Sequence, residues 1–224
     1  IHTYACRIYE GYGIEADEKE AAPYLKKDAE NGNVDSMNGY GVLIYEGKII
    51  DPDKKEAIHY FKIAADKGSA EAMYNCALMY EKGVGVEVDK KEALRYYKMS
   101  ADNGYIRGML KTVSLLLYGE LVEPDLKEAF RYMKMGAEKG DVDLMALYAI
   151  KLYNGDGIEV DKKEAARYTK MAAEKGDSRS MFNYAIMLKN GEGVEVDKKE
   201  AVRYYKMAAD KGQIDAMNSY GNML

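Results

Sequence analysis

GVGVEVDKKEALRYYKMSADNG, residues 83–104, sets two glycines one residue apart in front of a lysine pair. Glycine-rich loops that open a helix cradle phosphate in many nucleotide enzymes, so the first question is whether this is such a loop. A dinucleotide fingerprint asks for a third glycine, and Val88 stands in its place. A P-loop asks for Lys followed by Ser or Thr, and here Glu92 follows the lysines. Asp89 and Glu92 also put two carboxylates where the next helix would begin, in a capping-box arrangement at the positive end of its dipole. A phosphate arriving there would meet like charge. The glycines end one helix and the acidic pair starts the next.

The same stretch returns along the chain. Asp-x-Lys-Glu-Ala begins at Asp17, Asp53, Asp89, Asp125, Asp161 and Asp197, always 36 residues apart (53 − 17, 89 − 53 and so on). Tyr24, Tyr60, Tyr96, Tyr132, Tyr168 and Tyr204 keep that beat, as do Gly32, Gly68, Gly104, Gly140, Gly176 and Gly212. A third series is Met37, Met73, Met109, Met145, Met181 and Met217. A fixed period of this length is the signature of stacked repeats, and a motif carried by every unit is scaffold rather than catalytic loop. The expectation is one all-α repeat domain over 1–224: a partial unit 1–31, full units 34–67, 70–103, 106–139, 142–175 and 178–211, and a partial unit 214–224. The chain opens on Ile1, and it is expected to be a fragment of something longer.

Within one unit, Met73, Cys76, Ala77 and Tyr80 recur at i, i+3, i+4 and i+7, one face of an amphipathic helix. Ser69 is placed to cap it, as are Asn33, Asp141 and Asp177 at the equivalent positions. Gly83 ends it in the left-handed conformation, and the second glycine, Gly85, supplies another turn residue. Val86, Ile14, Ile158 and Val194 tuck this loop onto the helices. The second helix runs from Asp89, with small residues near its end (Ala64 and Ala65, Ser100 and Ala101, Ala172 and Ala173, Ala208 and Ala209) that let neighbours approach. Lys90, Lys91, Arg95 and Lys98 fall on its solvated side. Pro23, sixth in its helix, predicts a kink or a late start. Ten of the fourteen methionines lie in two repeat series, the one above and Met99, Met135, Met171 and Met207, and are read as core.

These residues, AEAMYNCALMYEKGVGVEVDKKEALRYYKMSADNG at 70–104 above all, resemble the Sel1-like repeat (SLR), a relative of the tetratricopeptide repeat. The likeness covers essentially the whole chain. Tyr replaces the family's Trp in the second helix, Met replaces a more polar position in the first, and the loops GKIIDPD and GELVEPD lack the second glycine. The resemblance implies a right-handed α-solenoid of stacked antiparallel helix pairs, with first helices lining a concave groove. It implies three series of groove positions: one holding Asn38, Tyr74, Leu110, Ala146 and Phe182 after His2, one holding Cys6, Val42, Leu78, Ile150 and Ile186, and one holding Tyr9, Tyr45, Glu81 and Tyr153. These vary between units while the packing positions stay nearly fixed. Tyr45, Tyr74, Leu78, Leu110, Ile150, Tyr153, Phe182 and Ile186 are the candidate contacts, with Arg107 and Arg179 among acidic neighbours as a charged rim.

Other classes are excluded on residue type. Net charge is −5, from 33 basic and 38 acidic residues in mixed order, so there is no basic stripe for nucleic acid. No apolar run reaches the length of a membrane span. Two histidines, His2 and His59, give no zinc motif; there is no nucleophile elbow, and NGDGIEVDKKE puts Glu159 where a calcium loop needs Gly. Cys6 and Cys76 lie about two repeats apart and cannot pair, which with the lack of a glycosylation sequon points to the cytoplasm, a lumen being the other compartment left open. The reading is a non-enzymatic scaffold or adaptor, without cofactor or metal, holding a peptide or protein in its groove. The other reading is a structural component of a large assembly, meeting further repeats or a neighbouring chain by its convex face or ends.

Overall fold

The computed structural model describes residues 17–47, 53–119 and 124–223. His2, Cys6, Tyr9 and Ile14, and the middles of the two single-glycine loops, lie outside the described residues. Among the described residues there are twelve helices and no strand. They are α1 (Glu18–Glu30), α2 (Val34–Glu46), α3 (Lys54–Asp66), α4 (Ala70–Lys82), α5 (Lys90–Asp102), α6 (Ile106–Tyr118), α7 (Leu126–Glu138), α8 (Val142–Asn154), α9 (Lys162–Glu174), α10 (Ser178–Asn190), α11 (Lys198–Asp210) and α12 (Ile214–Gly221). Odd-numbered helices begin at 18, 54, 90, 126, 162 and 198, the 36-residue beat of the sequence. The chain is an all-α repeat solenoid. It forms two compact units, residues 1–115 with 119–123, and residues 116–118 with 124–224. Within each unit, helices pack on their sequence neighbours.

Capping sets the helix boundaries. All six odd-numbered helices start at an aspartate whose carboxylate accepts a backbone N–H of the first turn: Asp17 from Glu20, Asp53 from Lys55, Asp89 from Lys91 and Glu92, Asp125 from Glu128, Asp161 from Glu164 and Asp197 from Glu200. Asn33, Ser69, Asp141 and Asp177 cap four of the even-numbered helices in the same way, while Tyr105 and Gln213, ahead of α6 and α12, make no such bond. Pro23 does not delay α1, which begins at Glu18 in register with its equivalents and carries the proline inside. Each odd-numbered helix closes in a Schellman motif. In α11, Gly212 N–H donates to Ala209 and Gln213 N–H donates to Ala208. The residue that completes this motif is itself the N-cap position of the next helix, so reversal takes three residues.

The capping box is only half formed. The backbone N–H of the cap aspartate, which Glu92 or its equivalents would take, instead donates across the loop to the preceding helix: Asp89 to Tyr80, Asp125 to Leu116, Asp161 to Leu152 and Asp197 to Leu188. Glu92 accepts from Arg95 instead, at 2.6 and 2.8 Å, and Glu164 does the same with Arg167 at 2.7 and 2.8 Å. The guanidinium then lies over the ring of the following tyrosine, 4.3 Å from Tyr96 and 4.1 Å from Tyr168.

The core is built from the repeated positions. Tyr60, Tyr96, Tyr132, Tyr168 and Tyr204 are buried, and three of them meet a first-helix tyrosine edge to face: Tyr40–Tyr60 and Tyr148–Tyr168 at 5.2 Å, Tyr184–Tyr204 at 4.9 Å. Met37, Met73, Met109, Met145 and Met181 are buried, whereas Met217 of α12 is 48% exposed. The second methionine series sits at the edge of the core, with Met99 and Met207 packed against it. Met99, Met135 and Met171 are half-buried and lie beside Arg95, Arg131 and Arg167. The side chain four residues after an arginine on one helix shields its stem rather than filling the interior.

The second glycine of the loop does more than turn. Gly193 has φ +72°, and a Cβ there would collide with the Lys162 carbonyl at the start of α9; Gly85 meets Lys54 at the start of α3 in the same way. Gly212 has φ +87° with nothing within 4 Å of its would-be Cβ. Gly212→Ala should therefore lose only the left-handed backbone preference, about 1–2 kcal/mol. Gly193→Ala should lose that and the inter-helix contact, and urea unfolding of the two variants should show the larger drop in midpoint at Gly193.

Candidate functional site

The ten candidate contacts divide equally between the two units. Ile150, Tyr153, Arg179, Phe182 and Ile186 belong to the second. Ile150, Tyr153 and Ile186 line a cavity of about 350 Å³, with Thr169 among its other walls. Ile150, Arg179 and Phe182 line another of about 470 Å³, whose rim carries Asp143, Asp177 and Asp215. Ile150 and Asn183 border both cavities, so the five lie along one face of α8 and α10. Exposure follows position: Arg179 and Ile150 are open to solvent, while Tyr153, Phe182 and Ile186 are half-buried. Phe182 leans on Tyr205 with ring centroids 5.7 Å apart.

In the first unit the corresponding face is filled by the chain itself. Tyr74 packs against Tyr97 and Tyr105, each at 5.5 Å. Lys82 donates to the Tyr45 hydroxyl at 3.1 Å, and Lys54 caps the end of α2 by donating to the Ile44 and Tyr45 carbonyls. Leu78 packs against the core, Leu110 is half-buried and Arg107 is exposed. Glu81 sits at the centre of a network, accepting from the Tyr97 hydroxyl at 2.6 Å and from Lys111 at 2.9 Å. Burial opposes its charge, but these two donors outweigh it and hold the Glu81 carboxyl below its ordinary range.

Several wall residues escape the sequence reading, Asn154, Asn183 and Thr169 among them. Asn183 belongs to a series, Gly39, Asn75, Lys111, Leu147, Asn183 and Ser219, that varies as much as the three chosen, so the same criterion applied one position further along would have found it. Its members carry polar contacts: Asn75 donates to Asn38 at 2.9 Å, and Lys111 pairs with Glu81. Thr169 lies on the second helix of its pair, which a search confined to first helices omits.

The polar chemistry around the hollow is compact. The Tyr153 hydroxyl donates to Glu192 at 2.6 Å, and Lys162 reaches the other carboxylate oxygen at 3.1 Å. The bond to Glu192, chiefly, raises the Tyr153 pKa, and the same bond lowers that of Glu192, so the phenol keeps its proton at neutral pH. The buried Cys76 thiol is pushed up to about 12 by desolvation, far from a reactive thiolate. Among the described residues no group of three or more His, Cys, Asp and Glu could hold a metal ion, and no helix is long and apolar enough to cross a membrane.

Comparison with known proteins follows the same repeat. The family model for the Sel1 repeat matches residues 4–33, 34–69, 70–105, 114–141, 143–177 and 178–213. Among solved structures, the chain is similar to c5321 of uropathogenic Escherichia coli, a protective antigen displaying an SLR fold. The identity is 25%, covering 99% of this chain and 48% of that one, with a TM-score of 0.84. It is also similar to a Sel1 repeat protein from Oxalobacter formigenes, at 29% identity over 99% of this chain and 89% of that one, with a TM-score of 0.73. The chain thus spans about half the length of the E. coli antigen. No curated protein matches.

The lowered Glu81 pKa carries a signed expectation. A carboxyl held below its unfolded value stabilises the fold above that value and loses this contribution as pH falls through the folded one. The stability gap between the native chain and Glu81→Gln, on the order of 1–2 kcal/mol for a charge-assisted network, should be widest near neutrality. It should close in urea titrations as the pH is lowered through the carboxylate range.

Proposed function

The chain belongs to the Sel1 repeat family, and from that premise we propose that it is a non-catalytic scaffold whose first-helix face holds an extended segment of a protein partner. Sel1 repeats mediate interactions between proteins. The observation that carries the finer reading is the pair of adjoining cavities, about 350 and 470 Å³, along α8 and α10. Volumes of this order accept ligand side chains. Their apolar wall, Ile150, Phe182 and Ile186, is flanked by Arg179 and by Asp143, Asp177 and Asp215. Such a centre with a mixed rim suits a peptide with apolar anchors and charges of both signs. A phosphate backbone would face more carboxylate than guanidinium on that rim.

A second reading, docking through an end of the solenoid, draws on α12. Ile214 is 71% and Met217 48% exposed, whereas Met181, the equivalent of Met217 one repeat earlier, is 3% exposed. That apolar face would suit a further repeat or a neighbouring chain.

The two readings separate in one experiment. Ile150→Asp with Arg179→Glu changes two exposed residues and should leave the melting temperature within a few degrees, as surface substitutions of about 0.5 kcal/mol do. It should lower partner capture from the source cell at least tenfold, while Arg203→Glu on α11 should leave capture unchanged. Capture that survives the first change but is lost with Ile214→Asp and Met217→Asp would transfer the function to the end of the solenoid.

A further inference from the structure

The cavity over Thr169 has an internal template. Leu25, Phe61, Tyr97, Met133 and Tyr205 occupy the equivalent second-helix position in the other repeats, and all are buried. Two repeats upstream (169 − 97 = 72 residues) the Tyr97 ring fills this place completely, at 0% exposure, with its hydroxyl on Glu81 and Lys111 5.8 Å over its ring. At the same spacing, Tyr153 stands for Glu81, Asn154 for Lys82 and Asn183 for Lys111, and all three line the cavity. These three wall positions therefore match those of the Tyr97 site with neutral polar groups in place of charged ones, while Ile186 stands where that repeat has Ser114 and takes up part of the space.

Nothing on the facing helix makes up the lost volume. At α2 and α3 a large residue meets a small one, since a Cβ on Gly41 would lie 2.6 Å from the Phe61 ring. At α8 and α9 the equivalents are Ala149 and Thr169, both small. The Thr169 hydroxyl is already bonded to the Ala165 carbonyl at 2.8 Å and asks for no further partner. What remains is about 350 Å³ bounded largely by Ala149, Ile150, Ile186 and Met187. Benzene enters an apolar protein cavity of about 150 Å³, so this one holds a phenol ring with room for the backbone that brings it.

We infer that this cavity is the receptor for one tyrosine side chain of the partner segment, its ring taking the place that Tyr97 fills in its own repeat and its hydroxyl meeting the Asn154 and Asn183 amides. This assignment rests on the first-helix face being a peptide site, and it names the anchor that site takes. The Asn154 amide nitrogen already donates to Asp156 at 3.3 Å, which leaves its oxygen to accept from a phenol, and the Asn183 amide can both donate and accept.

The test uses the whole chain and p-cresol, the side chain of tyrosine without its backbone. Titration followed by NMR should shift resonances of Ala149, Ile150, Thr169 and Ile186 saturably, with a Kd on the order of 1 mM for so small a ligand. Thr169→Tyr, which supplies the ring from within, should weaken p-cresol binding and partner capture at least tenfold, while Thr169→Ser should keep both. If Thr169→Tyr does not fold, Ala149→Leu closes the cavity from the opposite wall and carries the same expectation. No saturable shift, or binding that persists in a folded cavity-filling variant, overturns the assignment. Toluene binding with p-cresol excluded overturns the choice of tyrosine. Capture lost with Ile150→Asp and Arg179→Glu but intact in Thr169→Tyr sinks the anchor and leaves the peptide face standing.

Discussion

One hydrogen bond organises each helix pair that carries it. The N–H of the cap aspartate donates to a carbonyl near the end of the preceding helix, while its carboxylate accepts from the first turn of the following one. A single residue thus fixes where one helix stops, where the next starts and how the loop is folded between them. The same bond is present from Asp125, whose loop has one glycine, and from Asp161 and Asp197, whose loops have two. The second glycine is therefore not what holds the loop to its own helices. It answers a different demand, the close passage of the loop over the start of the preceding second helix.

Because that bond consumes the aspartate N–H, the glutamate three residues on is released from capping. It turns outward to the arginine at i+3, which lies over the buried tyrosine's ring. Exposed pairs of this kind contribute little stability, about 0–1 kcal/mol, but they give the second-helix surface a repeated coat. Structural duty is concentrated there and at the buried tyrosines, and the first-helix face is left to vary.

Helix boundaries, caps and the buried tyrosines were legible in the sequence because each depends on residues within a few positions of one another, repeated in register. What escaped depends on partners about one repeat away. Gly193 against Lys162, Lys111 against Glu81 and Asn75 against Asn38 are separated by 30 to 37 residues, and no local pattern announces them. The second methionine series differs from the first for the related reason that periodicity reports a shared environment without saying which: Met99 and Met171 recur as faithfully as Met73, yet are only half-buried, beside arginines at the edge of the core. The five contacts of the second unit came from variation between repeats, and they fall on one face. Thr169 varies too, but on the second helix, where a search confined to first helices does not look.

That departure leaves a gap beside α9. A repeat fold can tolerate a missing side chain in two ways: a neighbour grows to fill the gap, or the gap opens to solvent. An enclosed void forfeits contacts on every wall, costing about 24 cal/mol per Å³, which a cavity of this size could not sustain if sealed and dry. The walls of this one include Asn154, Asn183 and the Tyr153 phenol as well as aliphatic carbon, and Asn154 is exposed, so water has access while it stands empty. The first unit closes the same position with its own Tyr97 and a charged network. The second leaves it open, with the neutral amides of Asn154 and Asn183 at hand, so that the position can stand solvated without an occupant.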